Sequence, residues 1–431
     1  MPYRTLVYEP EKEEIISVRD DILRESPIRK NKKSILFVSH QHPHSIGGIQ
    51  KHSRRLYDGL KDDYNITRAN CMNFGSLFST MLGYGNGNGR GNGKFDIKAS
   101  SLMYCDAGIS AILGPTLLGR KVGAAAATVH GLDIIAPIPS YQKIVARGLQ
   151  KLDRVVCVSK ATAREVAKRG VIRDKIVVIP NAARKTDRLI EKDEKLYERL
   201  KELLKIDLRG KRVLFSLGRP VKRKGFDHFG RDVFPYFSDD YVYIVAGPKL
   251  QVPAWLKICR MILSRKLDHG LRLAMGYHTS HNELLELSKH PRFFYINNID
   301  CELKNLLFAV SDLFILPNIK VEGDMEGFGI VALEAASRGI PVIASDIEGI
   351  IDAVVEGQNG YRVKHGDNYG MYRAIDELLN NRSNLEYLKA NAREFTLREF
   401  SLEKVIGLYR RMFEDLFEEK ANAKRNNDFS K

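Results

Sequence analysis

Cysteine is scarce in this 431-residue chain and offers no framework. Cys71, Cys105, Cys157, Cys259 and Cys301 are odd in number and form no CxxC pair. Two of them, Cys105 and Cys157, fall inside apolar runs, so a disulfide scaffold and a zinc cage are both disfavoured and a reducing compartment fits better. Long apolar runs are missing as well. The longest uncharged one, Ala107 to Gly119, covers 13 residues and is broken by Gly and Pro, against about 20 for a spanning helix. The first 21 residues are acidic and hold no apolar signal core, so nothing is expected to cross a membrane. Aromatic residues make up only 9%, yet 44% of the chain is apolar. That is ample for a large core and too rich for intrinsic disorder. At roughly 150 residues per domain, two domains are expected.

Charge is plentiful and unbalanced, with 69 Lys and Arg against 53 Asp and Glu, a formal charge of +16. Either the excess is solvated surface, or it meets nucleic acid, an anionic membrane surface or a phosphorylated small molecule. No recognised nucleic-acid module or aromatic stacking motif appears, so no nucleic-acid partner is expected. Residues Tyr141 to Ile190 hold 13 cations and 4 acids. Basic helices there would rest on anionic lipid headgroups, each residue adding about 1 kcal/mol near the surface. On that footing the protein is expected in the cytoplasm, at the inner face of the cell membrane.

From Lys33 onward, short apolar runs that end in small or polar residues lead into amphipathic segments, the pattern of βαβ units and parallel sheets. Strands are expected at Ser34 to Ser39, Ala124 to Val129, Arg154 to Ser159 and Lys175 to Pro180. After a charged helical stretch near 190 to 206, a second series runs Arg212 to Leu217, Tyr241 to Ala246, Phe293 to Ile296, Leu313 to Pro317 and Pro341 to Ser345. Two doubly wound α/β domains follow, joined near Asn181 to Leu203, with a purely helical tail from Met371. The segment Gly83 to Lys94, GYGNGNGRGNGK, fits neither a P-loop nor a GxGxxG register and reads as a mobile surface loop.

Several strand ends carry chemistry. The first empties into His40, His42, His44, Gly47 and Gly48 before a helical pattern begins. Gly47 and Gly48 would let backbone N–H groups approach an anion at a strand's carboxyl end. A metal on the three histidines is disfavoured, because Pro43 breaks the strand and no nearby carboxylate completes a site. His130 ends another strand, where it would bond a sugar hydroxyl or a phosphate, or be satisfied by backbone. The second domain opens with Gly218, Arg219, Lys222, Arg223, Lys224 and Gly225. Four cations so close repel unless solvent or an anion compensates them, and a diphosphate is a compact solution. Glu326 and Glu334 lie eight residues apart. On one helix they would stand about 12 Å apart along the axis, too far for a glycosidase pair and suited to two ends of an elongated ligand, or they are plain helix charges.

Taken together, Gly218-Arg219 with Lys224-Gly225, then Glu326-Gly327-Phe328-Gly329 with Glu334-Ala335, then Gly339-Ile340-Pro341-Val342, resemble the retaining nucleotide-sugar glycosyltransferases of family 4. The similarity covers about Ser34 to Arg410. It implies the GT-B fold: two Rossmann-like doubly wound domains facing a central cleft. The implied division is an extension at 1–30, an acceptor domain at 31–190 and a nucleotide-sugar domain at 191–395. A C-terminal helix within 396–431 would pack back towards the first domain and end in a frayed basic tail. By the same resemblance Arg219 and Lys224 hold the donor diphosphate and Glu334 accepts from the ribose. Glu326 and the Gly327, Phe328 and Gly329 backbone lie against sugar and phosphate, while Gly48 and His130 close the site. The implied donor is a UDP-sugar and the implied acceptor a cell-envelope, polysaccharide or lipid-linked glycan, with no cofactor and no metal. A synthase of a soluble disaccharide or sugar phosphate would use the same donor machinery, and a sugar-nucleotide-binding protein without turnover would keep the fold. The chain departs from the family habit at Glu348-Gly349, where a Gly-Gly is common.

Overall fold

The computed structural model describes residues 32–39, 48–70, 84–87, 90–94, 100–106, 122–183, 190–248, 272–273 and 278–429. Gly47, the histidines at 40, 42 and 44, the apolar run from Ala107 and the 1–30 extension lie outside the described residues.

The first sheet holds eight strands: β1 Ser34–Ser39, β2 Asn65–Asn70, β3 Tyr84–Gly87, β4 Arg90–Lys94, β5 Leu102–Asp106, β6 Ala124–Val129, β7 Arg154–Cys157 and β8 Ile176–Val178. Their order is β4-β3-β2-β1-β5-β6-β7-β8, parallel from β2 to β8. The glycine-rich segment is thus a correction. It forms the antiparallel pair β3 and β4 at the sheet edge rather than a loop. In sequence the segment repeats Asn-Gly, a dipeptide favoured in hairpins.

The second sheet holds β9 Arg212–Leu217, β10 Tyr241–Ala246, β11 Phe293–Ile296, β12 Leu313–Leu316, β13 Val342–Asp346 and β14 Gly360–Lys364. All six are parallel, in the order β11-β10-β9-β12-β13-β14. Burial on both faces explains their near-continuous apolar runs, β10 being buried throughout. The order reverses direction beside β9 in this sheet and beside β1 in the other. Ligands of open α/β sheets sit beyond the carboxyl ends at such reversals.

Strand ends are trimmed where side chains cap helices. Ser159, expected in a strand, instead accepts the Thr162 N–H and starts the Lys160–Ala167 helix. The last helix, Leu402–Phe429, turns Val405, Ile406, Tyr409, Met412, Phe413, Leu416 and Phe417 to one side. That stripe joins the first-domain core against Phe37, Leu56, Tyr64 and Tyr104. Each such side chain contributes about 1.5–3 kcal/mol when fully buried. Polar ties flank it, Tyr64 to Glu414 at 3.1 Å and Lys420 to Asp153 at 2.6 Å. Helix continues through Lys420 to Phe429, with residues 421–426 exposed. No helix among the described residues is long and apolar enough to cross a membrane.

Candidate functional site

The loop leaving β9 passes Gly218 and the exposed Arg219 and tightens into a turn at Lys222–Lys224. The cations of that turn already have anionic partners within this chain. Lys222 reaches Asp227 at 3.0 Å and Glu283 at 2.7 Å, and Arg223 reaches Asp324 at 3.2 Å. Lys224, 7% exposed, lies 2.7 Å from Glu326. The self-repulsion anticipated from sequence is therefore relieved largely by carboxylates of this chain, and Lys222 and Arg223 are turned to them. Gly225 closes the turn at φ 66°, and a Cβ there would run into the Pro317 carbonyl, so the two strand-end loops press together at a point only glycine fits.

Glu326 sits in the loop after β12, not on the helix that follows. That helix, Ile330–Ala336, starts only after Gly329, whose φ of 88° ends the loop. Glu326 and Glu334 consequently belong to different elements and have different neighbours. Around Glu326 are Lys224, Arg223 Nε at 3.5 Å and Asn318, which donates to Oε2 at 3.2 Å. Burial would push the Glu326 carboxyl up, but the charges of Lys224 and Arg223 outweigh it and hold it at about 2. Glu334, on the helix, meets Lys51 of the first domain at 3.0 Å. Its Oε2 is buried without a hydrogen-bond donor among the described residues, Lys304 Nζ being 4.0 Å away. Phe328 turns its ring into the core against Phe400, leaving only its backbone at the loop.

Across the cleft, His130 follows β6 and its carbonyl lies against Gly327, where a Cβ would overlap it. The His130 N–H donates to both Asp133 carboxylate oxygens at 3.0 Å, which fixes the turn. Its ring Nε2 meets Asp106 Oδ1 at 3.0 Å. Asp106 ends β5 beside the reversal in strand order and is fully buried. Its Oδ2 accepts from Ser53 Oγ at 2.7 Å, and His52 Nε2 stands 3.7 Å from Oδ1. Burial opposes charge on both partners, yet His52, His130 and Ser53 together keep Asp106 below its ordinary value, and Asp106, aided by Asp133, keeps His130 above its own. Burial dominates at His52 and lowers it to about 4, so it is neutral near pH 7. His52 also meets Tyr409 of the last helix at 3.3 Å. Gly48 starts the Gly48–Leu60 helix facing Ile330, which a Cβ there would approach to 3.3 Å.

The cleft thus gathers Gly218, Arg219, Lys224, Glu326, Gly327 and Gly329 on one side and Gly48 and His130 on the other, with Glu334 reached from the first domain through Lys51. Sequence reasoning missed Lys51, His52 and Asp106. The available signal was an aspartate closing a short apolar run, LMYCD, in the manner of the other strand ends. His52, Asp106 and His130 each bring one ligand-type atom within 4.8 Å of the others, the kind of trio that holds a cation. Here hydrogen bonds from Ser53 and His130 occupy the carboxylate.

Residues 205–395 match the family described as Glycosyl transferases group 1, and residues 106–184 match Glycosyltransferase Family 4. The N-acetyl-alpha-D-glucosaminyl L-malate synthase of Bacillus anthracis is 31% identical over 118 residues, 27% of this chain and 30% of that protein. The capsular polysaccharide biosynthesis glycosyltransferase CapM of Staphylococcus aureus is 29% identical over 120 residues, 28% of this chain and 30% of its own length. The matches thus span about 30% of these two relatives. Among solved structures, Anabaena HepE in complex with UDP-glucose superposes with a TM-score of 0.65 at 14% identity, over 89% of this chain and 99% of that one. The two sheets with their strand-order reversals give this chain the fold of that structure, and its two halves are similar to the two glycosyltransferase families, residues 106–184 to one and 205–395 to the other.

Proposed function

We propose that the protein transfers a hexosyl or hexosaminyl group from a UDP-sugar, with retention, to a hydroxyl of a cell-envelope, polysaccharide or lipid-linked glycan. The observation that carries this reading is the buried Glu334 oxygen with no donor among the described residues. Buried polar atoms are normally hydrogen-bonded, and a ribose hydroxyl would satisfy this one. Arg219 and Lys224, at the carboxyl end of β9, are suited to the diphosphate and to the charge it gains on leaving. Loss of one such group lowers a rate by about 10² to 10³. His130 and the Gly327 backbone would flank the sugar, a phosphate oxygen would take the acceptor proton, and side-chain cations would do the charge-neutralising work without a metal or cofactor. A chain of this fold that holds UDP-glucose and a relative named for capsular polysaccharide both support the donor and acceptor classes.

A thermal-shift titration with UDP, GDP and ADP tests it. UDP at a hundredfold excess over its dissociation constant is expected to stabilise the protein by about 2.7 kcal/mol. No response to any of the three would remove the donor reading. A small soluble acceptor is the second reading, favoured by the relative named an L-malate synthase; product analysis with both acceptor classes separates them. Contact with anionic lipid at the inner membrane face is supported by exposed Lys143, Arg147, Lys151, Arg164 and Arg173, together with exposed Ile144 and the 61% exposed Ile172.

A further inference from the structure

The turn after β13 carries a side chain that the donor reading leaves without a role. Among the described residues only Lys205 and Glu348 have a positive φ without being glycine, 59° and 50°. Lys205, itself exposed, simply ends a helix. Glu348 is half-buried in the cleft, and strain of this kind persists only where the surroundings over-determine it.

Those surroundings are a reciprocal tie between two loops. The Glu348 Oε2 accepts the Glu326 N–H at 2.5 Å, and the Gly349 N–H donates back to the Glu326 carbonyl at 3.1 Å. Gly349 packs so closely on the Gly327 carbonyl that a Cβ would overlap it, and Gly327 packs in the same way on His130 of the first domain. Three turns are therefore stacked, 348–349 on 326–327 on 130–131. The side chain of the middle turn, Glu326, grips Lys224.

We propose that Glu348 is a positioning residue: its carboxylate holds the Glu326–Gly327 backbone against the first domain and thereby sets the place of Lys224. This rests on the donor reading of Lys224 given above. A glycine would adopt the same backbone without strain but would leave the Glu326 N–H without this acceptor. The charged groups around Glu348 are Glu326, Asp324 and Arg223. Burial, then the two acids, push its carboxyl up to about 7 against the pull of the Glu326 N–H and Arg223. The ionised form is the stronger acceptor, so the tie loosens as pH falls through that value.

Glu348→Gly and Glu348→Gln test this together. Hydrogen exchange of a peptide spanning residues 324–329 is compared at pH 8, alongside UDP release from UDP-glucose across pH 5.5–8.5. The glycine variant is expected to exchange at least tenfold faster there and to lose at least tenfold in kcat, with KM for UDP-glucose within twofold. The glutamine variant, which keeps an acceptor oxygen, is expected to retain the slow exchange and to lose the wild-type step near pH 7. Wild-type exchange in the glycine variant, or a wild-type pH step in the glutamine variant, overturns the proposal. Failure of the wild-type protein to bind or turn over UDP-glucose counts against the donor reading alone, since the exchange comparison still decides whether Glu348 holds that backbone.

Discussion

The two sheets end in differently built edges. At the second, the Lys222–Lys224 turn meets carboxylates at 227, 283, 324 and 326, so charge is matched by charge. At the first, a single buried carboxylate, Asp106, stands between two histidines. In the former the charges of Lys224 and Arg223 outweigh burial and hold Glu326 ionised, at about 2, while Glu348 behind it is pushed up to about 7. The latter is adjustable, since His130 is raised and His52 lowered by the same few ångströms of protein. A cleft formed between them has one wall whose ion pairs are fixed, with Glu348 as the titrating group behind them, and one adjustable wall in which the cleft-facing histidine itself takes up protons.

Lys224→Ala breaks the fixed wall. Stranding Glu326 without its nearest cation is expected to cost about 3–5 kcal/mol in a denaturant titration and to lower UDP release by about 10² to 10³. The double change Lys224→Met with Glu326→Gln restores most of the stability and none of the rate; recovery of both would mean that the pair serves folding only. Arg219→Ala, at an exposed position, is expected to lose a comparable rate with the thermal transition nearly unmoved.

On the adjustable wall, Asp106→Asn removes the charge that His130 leans on. A loss of about 1.5–3 kcal/mol is expected, the usual worth of a hydrogen bond to a charged group. The sign with pH is fixed by direction. His130 titrates above its ordinary value in the fold, so its contribution is full below that value and lost as pH rises through the raised one. In the asparagine variant, stability declines less across that window, Asp133 still favouring the charged ring, and an NMR titration of His130 moves back towards the ordinary range. An unchanged titration would detach Asp106 from His130.

A smaller effect belongs to the contact between the walls. Glu334→Gln is expected to weaken UDP binding about tenfold, or about 1.4 kcal/mol, read by calorimetry; equal affinity would take Glu334 out of the ribose site. Smallest of all, Arg147→Gln with Arg173→Gln is expected to reduce flotation with anionic vesicles several-fold at physiological salt, and no loss would leave that basic face merely solvated.

The fixed wall was more legible in sequence than the adjustable one. Arg219, Lys224, Glu326 and Glu334 stand in short motifs whose spacing survives folding, and β1, β6, β9, β10 and β11 coincide with their apolar runs. What spacing hid was compensation: Glu283 and Asp324, far along the chain, neutralise cations that looked self-repelling. Glu326 was imagined on a helix because Gly329 gives no sign, in letters alone, that its φ is positive. The adjustable wall joins residues 52, 106 and 130 from three separate segments, and only the parallel order of β1, β5 and β6 brings them together. Repeated glycine in the 83–94 segment suggested slackness, where alternation around Asn-Gly instead supports a hairpin.

The stripe from Val405 to Phe417 has a consequence for synthesis. Domains usually fold in the order in which they leave the ribosome. In this chain, the half translated first lacks part of its interior until the final helix, some 200 residues beyond β9, has emerged and swung back onto it. A transcript truncated before codon 400 would release a protein whose leading domain lacks that part of its interior.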